Sequence, residues 1–381
     1  MMMPILPLFA RILGATEVEL GFISIVPSLV MIVGSVPGSI IGVRFGKKAL
    51  FMLTGALGIL CAFGFSVVSR IALLYLPQAV FGLSNTLFWP AQSAYLTELV
   101  PERMRAQVIG YTLAVSGTGM MLGPTVGGLI ADTLGYRSVF LLYALMASCS
   151  IVVATRLPRL ETSAGGPALG ALVSGMSGVG RLLKRPMLGI TAISMFMMSI
   201  NQGMTDSFYP VFLREIGYSA TVVGTIVTTR TTGITLVRLT MGLLTQKMGA
   251  APLLFTGIGV CALMQGLAPL YPAPGFVYVS SFLMGVGFGV APVLATTIIA
   301  ENTDSKERAT GLALDMTCSS SGRVAGGMVI GAVAQATALG PALVGGNLAV
   351  LGGIGMLVLR YSSLVRRRKI HAPERRQGAS A

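Results

Sequence analysis

Long apolar runs, broken by short polar or Pro/Gly-rich interruptions, dominate this chain. They cover residues 20–43, 49–69, 72–97, 106–131, 136–157, 187–212, 220–244, 252–272, 276–299, 309–335 and 341–365. Each reaches the roughly 20 residues that carry an α-helix across about 30 Å of hydrocarbon. The segment before the first run includes Pro4-Ile5-Leu6-Pro7 and is too short to cross, but it reads as the outer end of a helix. The pattern predicts an all-α membrane protein with eleven complete spans and one partial first helix.

Composition agrees with the pattern. Of 381 residues, 54% are hydrophobic and 10% are charged. Soluble proteins carry about 25% charged residues, so a cytosolic domain is excluded. The formal net charge is +14, and the distribution of Lys and Arg explains it. One set of loops holds Arg44, Lys47, Lys48, Arg103, Arg105, Arg156, Arg159, Arg181, Lys184, Arg185, Lys247, Lys306 and Arg308, and the C-terminal tail adds six more. The opposite loops hold Arg11, Arg70, Arg137 and Arg214. By the positive-inside rule the first set is cytoplasmic, as is the C-terminus, in a multi-pass protein of the cell (inner) membrane. No interleaving of basic and aromatic residues suggests nucleic acid. Cys61, Cys149, Cys261 and Cys318 are scattered through apolar stretches, and His371 is the one histidine. No metal site, cofactor or enzyme chemistry is expected from such a set.

Residues 158–186 form the one long loop. Leu169, Leu172, Val173, Met176, Val179 and Leu183 recur at helical spacing beside Arg181, Lys184 and Arg185. A short helix lying on the anionic inner leaflet and a flexible glycine-rich linker both fit. The loop divides the chain into an N-terminal bundle (1–157), a linker (158–186), a C-terminal bundle (187–365) and a basic tail (366–381).

The two halves are related. A shift of 203 positions places Pro7, Arg11, Gly14, Gly21 and Gly46 on Pro210, Arg214, Gly217, Gly224 and Gly249. It also places Gly82, Gly119, Gly123 and Gly128 on Gly285, Gly322, Gly326 and Gly331. One ungapped offset serves loops and helices alike, which points to two pseudo-symmetric six-helix bundles with a substrate path between them. The same offset puts the expected start of the first helix before Met1, so most of that helix is expected to be missing from this sequence.

Residues 110–128 read GYTLAVSGTGMMLGPTVGG. Gly119, Gly123 and Gly127 form a smooth stripe on a helix, and Gly128 follows. Pro124 removes one internal hydrogen bond. This segment resembles the antiporter motif in the fifth helix of the major facilitator superfamily, with every fixed position present. Ser39 to Lys48, which contains Gly42, Arg44 and Gly46, resembles the family's loop motif between helices two and three. Gly242 to Gly249 resembles its counterpart in the second half. The family's loop acid is replaced by Val43 and Gln246, and its fourth-helix Arg by Gln78 ahead of Gly82. The resemblance implies a monomeric carrier working by alternating access in the lipid bilayer, with protons as coupling ion.

Charges inside a membrane are costly and read as functional unless paired or snorkelling. Asp206, Arg230, Arg238, Asp315 and Arg323 are the candidates. Arg323 is the deepest and should face a central cavity or a buried acid. Asp315 lies eight residues earlier, about 80° around the helix. Asp206 and Arg230 have similar depth on adjacent spans, which permits an ion pair. Asn201 and Gln202 add a polar patch, and Gln78, Asn85 and Gln92 line the fourth span. Arg238 lies within snorkelling reach of the cytoplasmic face. The expected function is export of a small organic molecule driven by protons. Uptake of an organic anion or sugar stays open, as does a non-transporting scaffold or sensor on the same fold.

Overall fold

The computed structural model describes residues 2–158, 182–304 and 307–377. The first half contains α1 (Met2–Ile12), α2 (Glu17–Phe45), α3 (Lys47–Val67), α4 (Tyr75–Leu99), α5 (Glu102–Leu134) and α6 (Tyr136–Arg156). The second contains α7 (Pro186–Ser207), α8 (Tyr209–Glu215), α9 (Ala220–Met248), α10 (Ala250–Leu267), α11 (Pro274–Asn302), α12 (Arg308–Thr337) and α13 (Leu339–Gln377). Every predicted span is helical, and the stub is α1. The span predicted over 187–212 is broken at Phe208 into α7 and α8. The cause is Pro210, which has no N–H to give the carbonyl of Asp206 four residues back. Most of the linker and its possible amphipathic helix lie outside the described residues. The backbone of α13 continues as helix through the segment read as the start of a basic tail.

Among the described residues, seven helices are each long and apolar enough to cross a membrane. Helices α7, α9 and α12 are more polar, and all three meet the other half of the chain. A helix that faces a wet interface need not be apolar all round. Within each half the packing repeats. In the first, α2 packs on α4, α3 on α4 and α6, and α1 on α5. In the second, α9 packs on α11, α10 on α11 and α13, and α7 on α12. These are the same pairs at the 203-residue offset.

The backbone carries the repeat in finer detail. Among the described residues, positive φ occurs at Gly14, Gly46, Gly135, Gly217, Gly249 and Ala338. These are three pairs at the offset: 14 with 217, 46 with 249, 135 with 338. Gly46, Gly135, Gly249 and Ala338 each join two helices through one residue, with ψ between 156° and 162°. Glycine reaches that region freely, whereas a Cβ makes it strained. Arg11 donates to the Ala15 carbonyl at 3.0 Å, and its counterpart Arg214 donates to the Tyr218 carbonyl at 3.0 Å.

The halves meet through glycine, in a pattern that the offset also relates. Gly21 on α2 abuts the carbonyl of Gly327 on α12, and Gly224 on α9 abuts the carbonyl of Pro124 on α5. Gly331 faces the carbonyl of Glu17, and Gly128 faces that of Ala220. Each contact maps onto its partner with the halves exchanged, so the interface is a pseudo-two-fold pair, α2 on α12 and α5 on α9. A methyl group at Gly21, Gly128 or Gly224 would overlap a backbone carbonyl.

All four contacts lie in the halves of the helices away from the basic loops, here called the far end. Toward the basic end the helices part. Gly117 is eleven residues before Gly128, hence on the same face of α5, yet no atom lies within 4 Å of a Cβ built there. Leu239 holds the equivalent place on α9, eleven residues after Thr228, and is 79% exposed. Among the described residues, the α5–α9 seam is closed at the far end and open at the basic end.

Ala338 is the one non-glycine in the repeated turn. Replacing it by the glycine of its three counterparts, Ala338→Gly, should stabilise the protein by about 1 kcal/mol. Thermal unfolding of the purified variant checks this; an unchanged or lower melting temperature would show that the turn is unstrained.

Candidate functional site

Two adjoining cavities lie between the halves. The larger, about 170 Å³, is bounded by Met3 and Pro4 of α1, Met120 and Pro124 of α5, Thr205 and Asp206 of α7, Pro210 of α8, and Val227, Arg230 and Thr231 of α9. The smaller, about 70 Å³, is bounded by α1, by Ser24 and Ser28 of α2, by Gln78 and Phe81 of α4, by Gly203, Asp206 and Ser207 of α7, and by Arg323 of α12. Asp206 lines both. It sits one turn before the Pro210 break, where interrupted helices in carriers present free backbone groups to a cavity.

Glycine contacts position the charged groups. Gly322 and Gly326 of α12 abut the carbonyls of Phe196 and Ile200, and a Cβ at Gly203 would lie 2.6 Å from the Arg323 carbonyl. This drives the backbones of α7 and α12 together at mid-membrane and carries the Arg323 side chain to the edge of α7. There Arg323 Nη2 donates to Gln202 Oε1 at 3.3 Å. Its Nε is buried without a partner. On the other side, Gly285 of α11 abuts the carbonyl of Arg230. The guanidinium lies 5.8 Å from the Phe288 ring centroid and donates to Asp206 Oδ1 at 3.2 Å.

The structure therefore brings together Asp206, Arg230, Arg323, Gln202, Gln78 and Pro124. The others are placed differently. Asn201 is fully buried and bonds the Asn347 Oδ1 at 2.6 Å while accepting from Cys261 Sγ at 3.1 Å. That is a packing network inside the second bundle. Asn85 bonds its own helix at the Phe81 carbonyl. Neither Asn85 nor Gln92 is among the residues lining the two cavities. Asp315 borders a crevice among α7, α11 and α12, with one carboxylate oxygen buried and unpartnered. Eight residues along the helix put it about 12 Å from the level of Arg323. Arg238 is exposed. It lies seven residues after Thr231 and so on the same face of α9, about 10 Å nearer the basic end.

Of the packing residues, Gly128 and Pro124 make the close approach to α9, while Gly127 is buried. Gly119 has no neighbour within 4 Å, so the close contact runs along Gly128 and Pro124 and does not extend to Gly119. Gly123 is half-buried. Gly46 and Gly249 are the paired turns described above. The side chains at Gly42 and Arg44 lie outside the described set.

Three features at the far end escaped the sequence reading. Arg11 bridges Glu17 at 2.9 Å and Glu215 of the other half at 2.6 Å. Asp132 of α5 caps the start of α9 across the interface, accepting from the Ala220 and Thr221 amides at 3.1 and 2.7 Å and from the Thr221 hydroxyl at 2.7 Å. Ser207, fully buried beside the cavity, has no hydrogen-bond partner. The offset could have flagged only the first, through the pairing of Arg11 with Arg214.

The family description Major Facilitator Superfamily matches residues 1–201 and again 191–381. The chain belongs to the Major Facilitator Superfamily. It is thus a multi-pass membrane protein with the fold of transporters. Among curated relatives, the Quinolone resistance protein NorA of Staphylococcus aureus is 24% identical over 168 residues, 43% of this chain and 43% of that protein. Multidrug resistance protein 2 of Bacillus subtilis (strain 168) is 24% identical over 152 residues, 40% of this chain and 38% of that protein. The matches thus span under half the length of these relatives. Among solved structures, the nucleoside transporter NupG superposes with a TM-score of 0.79 at 12% identity, covering 92% of this chain and 91% of that one. A peptide transporter, POT, in complex with sulfate gives 0.75 at 12% identity, covering 96% and 91%. At such identities the likeness shows the fold alone.

A thermodynamic cycle tests the ion pair at the junction of the cavities. Asp206→Asn and Arg230→Gln should each destabilise the protein, and the double variant by less than their sum, with a coupling of about 1 kcal/mol or more. Additive losses in thermal unfolding would mean that the pair is not formed in the membrane protein.

Proposed function

We propose that this Major Facilitator Superfamily member is a proton-coupled exporter that moves a small organic molecule by alternating access. The carrying observation is the position of Asp206. It is the acid common to both cavities between the halves, and it is ion-paired to Arg230 at 3.2 Å. A proton on Asp206 removes the charge that holds Arg230, so protonation and the arrangement of the cavity wall become one linked event. The positive-inside distribution makes the basic end cytoplasmic, and the protein then stands open to the cytoplasm, the state in which an exporter loads.

Export also accords with the relatives named for quinolone and multidrug resistance. Transport then requires the far-end contacts to separate while the basic halves of α5 and α9 close. Gly117 and Gly110 leave α5 smooth for that closure, and no neighbouring helix comes within 4 Å of a Cβ built at either. Uptake of an organic anion is the second reading, favoured by the excess of arginine over acid around the cavities.

Cells lacking their own efflux pumps and expressing this chain should accumulate less ciprofloxacin, by about twofold or more for a functioning carrier. A protonophore and the Asp206→Asn variant should each restore accumulation. Efflux unaffected by both would remove proton coupling through Asp206, and raised accumulation would reverse the direction.

A further inference from the structure

Taking the two cavities as the substrate site, we infer that they recognise a molecule carrying a carboxylate, which docks on Arg323, together with an N–H or O–H donor that docks on Gln78. The walls of the smaller cavity hold unmet bonding capacity. Arg323 Nε, Ser207 Oγ and Gln78 Oε1 are buried at the smaller cavity and have no partner. Gln78 and Ser207 are 5% and 1% exposed, so water does not satisfy them from bulk. A buried donor or acceptor left empty costs about 1–3 kcal/mol, which a ligand of the right pattern recovers.

The pattern is specific. Arg323 offers a charged donor edge, and one Nη is already held by Gln202, so the guanidinium is oriented. The free Nε–H gives a planar carboxylate one charge-assisted bond, and the parallel bond comes from the second hydrogen of Nη2, whose other hydrogen serves Gln202. Ser207 can add a third donor. Gln78 Oε1 on the opposite bundle is an acceptor, so the ligand must supply a donor there. Bridging Gln78 on α4 to Arg323 on α12 ties the two halves together through the ligand, which is what a carrier needs its substrate to do.

Charge points the same way. The cavity walls hold Arg230 and Arg323 against Asp206, and Asp206 is neutralised by Arg230. Arg323 is left as the uncompensated charge. Arg238 adds a second unpaired cation on the cavity face of α9, part-way to the open basic end, with no ion pair among the described residues. Cations spaced along a low-dielectric cleft raise the local concentration of anions. A cationic drug would meet the opposite field. The remaining walls, Met3, Met120, Val227 and Phe81, suit a compact apolar body.

The test uses the full chain with Cys149 and Cys318 replaced by alanine and a reporter thiol at the cavity, Thr231→Cys. Reaction rates in membranes are measured for anionic sulfonatoethyl and cationic trimethylammonioethyl methanethiosulfonates, each normalised to free cysteine. The anion should be favoured roughly tenfold. Arg323→Gln should abolish the preference and Arg323→Lys should keep it. Salicylate, which has a carboxylate beside a hydroxyl, should slow the reaction, and its amide should not. Equal rates, a preference for the cation, or equal action of acid and amide would overturn the carboxylate assignment while leaving the cavity as a transport site. Failure of both reagents to reach position 231 would instead overturn the cavity reading itself.

Discussion

Helix backbones in this protein touch where no Cβ fits, and that constraint decides which parts can move. At Gly21, Gly128 and Gly224 a neighbouring carbonyl occupies the place of a side chain. Lipid tails give helices no hydrophobic reason to associate, so close van der Waals approach of small residues has to supply it. Such contacts are smooth and short-ranged. They hold two bundles firmly in one arrangement, and the side-chain bonds added along the α5–α9 seam are short-reach threonine contacts, Thr125 to Thr228 at 2.8 Å and Thr228 to the Met121 carbonyl at 2.6 Å. The two-fold relation of α2 on α12 to α5 on α9 means that one rotation about a central axis loosens both seams at once. The directional bonds at the far end, Arg11 to Glu215 and Asp132 to the start of α9, sit at the rim, where water can replace them.

The frame is symmetric, but the chemistry is not. At the offset, Arg230 corresponds to Pro27, Arg323 to Met120 and Asp206 to Met3. Gly82 packs on Pro27 as Gly285 packs on Arg230, so the same backbone contact is used twice, once under an apolar residue and once under an arginine. The first half contributes walls, and the second contributes charge. Divergence of this kind is expected when the duplicated backbone must close identically on both sides while the ligand itself has no symmetry.

Much of this was legible in the sequence. Span positions followed from hydropathy, because burial in lipid leaves no other option for the backbone. The repeat followed from glycine and proline, because those residues are dictated by backbone geometry, and they keep their spacing when other identities drift. Ala338 marks the limit of that signal: its conformation repeats Gly135, but its identity does not. The Asp206–Arg230 pair was legible from depth alone, since both had to lie at one level on adjacent helices. Contacts between distant segments were not. Nothing local to Asn201 announces Asn347, 146 positions away, and nothing in α5 announces that Asp132 caps another helix. Asp315 and Arg323 share a helix and nearly a face, but depth separates a crevice inside one bundle from the cavity between two.

Alternating access requires the two bundles to exchange which end is closed. Paired spin labels measure this directly in the intact membrane protein, one pair at the far end on Thr133 and Ile216, the other at the basic end on Tyr111 and Leu243. With the native charges, distances at the two ends should each show two populations that change in opposite senses as pH is lowered. Distributions that stay single at both ends under every condition, or that widen together, would contradict a rocking carrier.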